Sequence, residues 1–74
     1  MNLKASISVT SSNINQLQSC LAVEIPAMQT KRSSVKLKKT KNTITFNITS
    51  KDPVALRATL HGITKLLTVF EKGQ

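Results

Sequence analysis

Three stretches of this chain alternate apolar and polar side chains at a period of two, and two others repeat at a helical period, so 74 residues are nearly used up by five elements. Leu3, Ala5, Ile7 and Val9 alternate with Lys4, Ser6, Ser8 and Thr10. From Ser33 to Lys39, Val35 and Leu37 face one way and Ser34, Lys36 and Lys38 the other; Ile44, Phe46 and Ile48 then alternate with Thr45, Asn47 and Thr49. Each run reads as a strand with one buried face. Thr40-Lys41-Asn42-Thr43 predicts a tight turn, with asparagine tolerant of a left-handed backbone, and makes the second and third strands a hairpin.

The first helical pattern begins after Ser11-Ser12-Asn13, which offers N-cap chemistry. Ile14, Leu17 and Leu21 recur at helical spacing with Cys20 and Val23 beside them, which predicts a helix from about Asn13 to Val23. Pro26 should forbid continuation, leaving Ile25 to Lys31 as a connection. The second helix opens on Asp52-Pro53, a carboxylate able to cap free amides followed by a proline at the first helical position, and runs to about Glu71, with Lys72 and Gly73 suited to its end. The expected fold is a single α+β domain over 1–74: β-α-β-β-α, a three-stranded antiparallel sheet with two helices on its apolar face.

A core of this size is marginal, since below about 70–80 residues it rarely yields more than about 3–5 kcal/mol. One cysteine and one histidine leave no ligands for disulfides or a metal site, and no cofactor motif occurs, so association is the remaining source of stability. Helix two carries the matching signal. Leu56, Leu60, Ile63, Leu67 and Phe70 form the stripe that covers a sheet, and Ala55, Thr59, Gly62, Leu66 and Val69 form a second apolar or small stripe beside it. Either helix one covers the second stripe, or a helix of another protein docks there, with Ala55, Thr59 and Gly62 permitting close approach.

Catalytic chemistry is poorly supplied. Glu24, Asp52 and Glu71 are the only carboxylates and form no evident acid–base pair. Cys20 lies on the apolar side of helix one and is expected to be buried, while His61 falls on the polar side of helix two. Two glycines exclude phosphate-cradling loops. The chain is therefore read as a non-enzyme. No apolar run approaches the roughly 18 residues that span a bilayer, the N-terminus lacks a signal-peptide pattern, and an unpaired cysteine suits a reducing compartment, so a cytoplasmic location without membrane contact is expected.

Charge is what remains. Eleven Lys+Arg against three Asp+Glu give +8. Lys31, Arg32, Lys36, Lys38, Lys39 and Lys41 cluster on or beside the hairpin with no acid among them, and Arg57, His61 and Lys65 share the polar face of helix two. Such residues can follow a phosphate backbone, keep edges soluble, or meet an acidic partner. The outer sheet face is polar without aromatics, unlike the base-stacking strands of an RRM, and no GXXG loop of a KH domain is present, so RNA contact would be backbone-directed.

The segment Asp52-Pro53-Val54-Ala55-Leu56-Arg57-Ala58-Thr59-Leu60-His61-Gly62-Ile63-Thr64-Lys65-Leu66-Leu67 resembles the C-terminal helix of the small Pcc subunits of KEOPS (EKC), the complex that makes threonylcarbamoyladenosine in tRNA. That family typically reads Asp-x-x-Ala-Leu-Arg-Ala-x-Leu-Asn-Ser, and Asp52, Ala55, Leu56, Arg57, Ala58 and Leu60 match in place. Ser19-Cys20-Leu21-Ala22-Val23-Glu24 is similar to the family's end of helix one, and Arg32-Ser33-Ser34-Val35 to its Arg-Ser-x-Val start of strand two. His61-Gly62 replaces the usual Asn-Ser, Val23 stands where proline is common, and the hairpin is lysine-rich where many relatives are acidic. The resemblance implies a non-catalytic subunit that dimerises with itself or a paralogue, docks on the catalytic ATP-binding subunit, bridges two half-complexes and assists tRNA binding. The competing reading is a free-standing basic nucleic-acid-binding module, which would cover the second stripe of helix two internally.

Overall fold

The computed structural model describes residues 1–73 and contains β1 (Leu3–Thr10), α1 (Ile14–Met28), β2 (Ser33–Lys39), β3 (Thr43–Ser50) and α2 (Pro53–Lys72) in that order. The three strands form one antiparallel sheet in the order β1-β3-β2, so the last strand made is the central one and β1 and β2 run parallel on either side of it. The α+β, β-α-β-β-α expectation holds.

The central position of β3 organises the core. Ile7 and Leu37 flank Phe46 in register, and Ala5 and Val35 flank Ile48. Ile44, Phe46 and Ile48 are consequently buried, along with Ile14, Leu17, Leu21 and Ile25 of α1, Val35 of β2 and Ile63 of α2. Both helices lie against β2 and β3. The inward side chains of β1, an edge strand, remain only half-buried.

Three local expectations need correction. Pro26 does not end α1, which continues through it to Met28. A proline there forfeits one backbone hydrogen bond. Against that loss, Ile25 is buried, and the Gln29 side chain just beyond the helix bonds the Val35 backbone twice: its amide nitrogen donates to the Val35 carbonyl (2.8 Å) and its amide oxygen accepts from the Val35 N–H (3.0 Å). Cys20 is exposed rather than buried, and Val23 is 75% exposed. The buried line of α1 is Ile14, Leu17, Leu21, Ile25, and a residue one position off that line rotates by about 100° toward solvent. Finally, no described non-glycine residue takes a positive φ, so the hairpin turns without a left-handed asparagine, closed by the Thr40 N–H donating to the Thr43 carbonyl (2.9 Å).

Candidate functional site

The helix layer begins at Asp52. One carboxylate oxygen accepts the Ala55 N–H (2.8 Å), capping α2, and the other accepts from the Arg32 guanidinium (2.8 Å), tying the cap to the start of β2. The Ala55 amide first, then Arg32, hold the Asp52 carboxyl below its ordinary 3.8. A depressed carboxylate pKa stabilises the fold at pH above the ordinary value, and that contribution disappears as pH falls through the lower, folded value. Asp52→Asn keeps a capping oxygen but removes the titration. The expected result is a shallower loss of melting temperature on acidification from pH 5 to pH 2 than in the parent chain; parallel curves would remove the cap from the acid response.

Beyond the cap, α2 does not face the sheet with the predicted stripe alone. Thr59 and Ile63 are the buried residues of this 20-residue helix. The Thr59 hydroxyl donates to the Ala55 carbonyl (3.0 Å) and lies 2.8 Å from the Ser33 hydroxyl, which is left as the donor between them. Thr59 thus points into the molecule. On one side of this inner line Leu56, Leu60 and Leu67 are half-buried; on the other Ala55, Gly62 and Leu66 are half-buried and Val69 is 64% exposed. α1 reaches the second side at Met28, whose terminal methyl would stand 3.6 Å from a Cβ at Gly62. Apart from Met1, the large apolar side chains left exposed, Val23, Val54 and Val69, all lie on the two helices.

The basic candidates do not come together as one cluster. Lys36 and Lys38 project from the outer face of β2, opposite Asn47 and Thr45. Lys39 pairs with Ile44, which turns it to the helix side, where its ammonium donates to the Asn15 side-chain oxygen. Lys41 is exposed at the hairpin turn. Lys31 and Arg32 sit at the far end of β2, and Arg57, His61 and Lys65 line the solvent side of α2. Three cations fall outside the predicted set: Lys4, whose outward parity was readable from the alternation, Lys72 in the last turn of α2, and Lys51, which only folding brings beside Arg32 through the Lys51 N–H to Arg32 carbonyl bond (2.8 Å). Among the described residues no three His, Cys, Asp or Glu side chains gather as a metal site, and no helix is long and apolar enough to cross a membrane.

The family model described as "Transcription factor Pcc1" matches residues 2–72. The chain belongs to the Pcc1 family. No curated protein matches it. As a Pcc1-family member it is a KEOPS-associated subunit of a non-catalytic subunit family, with other proteins as its partners. Within this Pcc1-family fold the resembling residues have distinct tasks: Asp52 and Ala55 make the helix cap, Leu56 and Leu60 pack against the core, and Arg57 and Ala58 are exposed. The two departures on helices are both tolerated at the surface, Val23 being exposed and Gly62 half-buried under a flexible methionine.

Proposed function

We propose that this Pcc1-family chain is a non-catalytic scaffold and dimerisation subunit of KEOPS, docking on the catalytic threonylcarbamoyltransferase subunit through the helix layer and assisting the binding of tRNA. The observation that carries it is the division of surfaces. Exposed valines and half-covered leucines lie on the helices, while the opposite sheet face carries no apolar side chain. An apolar helix layer suits a helix of another protein, and the candidate contacts are Ala55, Gly62, Leu66 and Val69 with Thr59 supporting them from beneath. Dimerisation, with a second copy or a paralogous small subunit, is supported by β1, an edge strand with Lys4 as its only charge and half-covered Leu3, Ala5, Ile7 and Val9. The tRNA role draws on the basic residues Lys31, Arg32, Lys36, Lys38, Lys39, Lys41, Arg57 and Lys65.

Co-expression with the catalytic ATP-binding subunit and candidate small subunits, followed by native mass measurement, tests the reading. A dimer of small subunits, alone and carrying the catalytic subunit, is expected. A well-folded monomer in the presence of all these partners would sink it in favour of a free-standing nucleic-acid binder.

A further inference from the structure

The sheet face turned away from the helices is a grid of three rungs and part of a fourth: Lys4–Thr49–Ser34, Ser6–Asn47–Lys36, Ser8–Thr45–Lys38 and Thr10–Thr43. Its hydroxyl and amide groups are tied across β1 and β3. Ser6 donates to the Asn47 side-chain oxygen (3.4 Å), Ser8 and Thr45 share a bond of 3.2 Å, and Thr10 and Thr43 one of 3.1 Å. Each tie uses one proton, so every rung keeps a donor: the second hydroxyl of a pair, or the Asn47 amide group. Lys4, Lys36 and Lys38 rise above these donors.

Among the described residues no side-chain carboxylate shares this face. Glu24 is on α1 and Glu71 on α2, and Asp52 sits beyond the end of β3, occupied by Arg32 and the helix cap. The grid continues at its β1 end into a shallow hollow of about 140 Å³, lined by Asn2, Ser34 and Thr49 and rimmed by Lys31, Arg32 and Lys51. At its other end it reaches the turn carrying Lys41. Eight residues of strand make this track roughly 25 Å long, with same-face side chains repeating at roughly 7 Å, comparable with the step between successive phosphates.

We propose that this outer sheet face is the surface that meets RNA, through the sugar-phosphate backbone, with Lys4, Lys36, Lys38 and Lys51 neutralising phosphates and the hydroxyl ladder donating to phosphate and ribose oxygens. The proposal rests on the tRNA-assisting role above and narrows it: the contact lies on the sheet, away from Arg57 and Lys65. An acidic protein is the poorer occupant, because the face offers it no apolar anchor. The absence of aromatic residues makes the contact indifferent to sequence.

Lys4 and Lys72 provide the test, since Lys4→Ala and Lys72→Ala remove the same charge from opposite layers. Binding of a fluorescein-labelled tRNA transcript to the full chain is titrated from 50 to 300 mM salt, with circular dichroism confirming each fold. For Lys4→Ala the slope of log affinity against log salt should fall by about 0.7–0.9, and for Lys4→Ala, Lys36→Ala, Lys38→Ala together by about 2–2.7, with Lys72→Ala unchanged. Equal losses from Lys4→Ala and Lys72→Ala would reduce the effect to net charge and overturn the assignment of the face while leaving RNA binding intact. No salt-dependent binding by the parent chain would overturn the RNA role itself. Binding of polyglutamate with the same affinity and slope as the transcript would overturn RNA as the occupant.

Discussion

Phe46→Ala is expected to leave the isolated chain unfolded at 25 °C. Phe46 sits at the middle of the central strand, between Ile7 and Leu37, with no exposed surface, and its ring joins the side chains that α1 and α2 lower onto the sheet. Truncating a buried phenylalanine costs about 3–5 kcal/mol, the lost transfer energy plus the cavity left behind. That equals the whole margin a core of this size supplies. Surface truncation should behave differently: Val69→Ala, at a side chain already in water, should cost less than about 0.5 kcal/mol. Urea titrations followed by far-ultraviolet circular dichroism compare the two. A cooperative transition for Phe46→Ala within 1 kcal/mol of the parent would mean that the core is not where the stability resides.

Substitutions at Gly62 should separate folding from assembly. Its backbone is helical and a Cβ there would meet only the Met28 methyl at 3.6 Å, an ordinary contact. Gly62→Ala should therefore stabilise the chain by about 0.5–1 kcal/mol, through the helix preference of alanine, and raise the melting temperature by a few degrees. Gly62→Glu should fold too, because the position is half-buried and the methionine in front of it is flexible. If a partner helix closes over this side of α2, however, the new carboxylate is buried without a counter-ion. An uncompensated buried charge costs about 3–5 kcal/mol, which corresponds to a loss of affinity of roughly a hundredfold to a few thousandfold. Pull-down of the catalytic subunit should disappear with Gly62→Glu at unchanged circular dichroism and persist with Gly62→Ala. Retention by both variants would return this stripe to internal packing.

What the sequence determined by itself is what depends on neighbours a few residues apart. Alternation set the strands and the polar outer face, including the outward parity of Lys4, Lys36 and Lys38. Asp52-Pro53 set the start of α2, and the crystal-clear period of Ile14, Leu17 and Leu21 set the direction of α1. The inward parity of Lys39 was equally readable, since it follows Val35 and Leu37 at a period of two. The tertiary structure alone decided which strand is central, and hence why β3 is buried while β1 is half-open, because strand order depends on pairing between segments more than thirty residues apart. It also decided that α1 passes Pro26, since the compensating bonds come from Gln29 reaching across to β2, and that Thr59 turns inward to Ser33 rather than outward with its stripe. The grouping of Lys51 with Arg32, and of Arg32 with Asp52 at the cap of α2, has the same origin: charge spacing along a chain fixes no distance in space until the layers are packed.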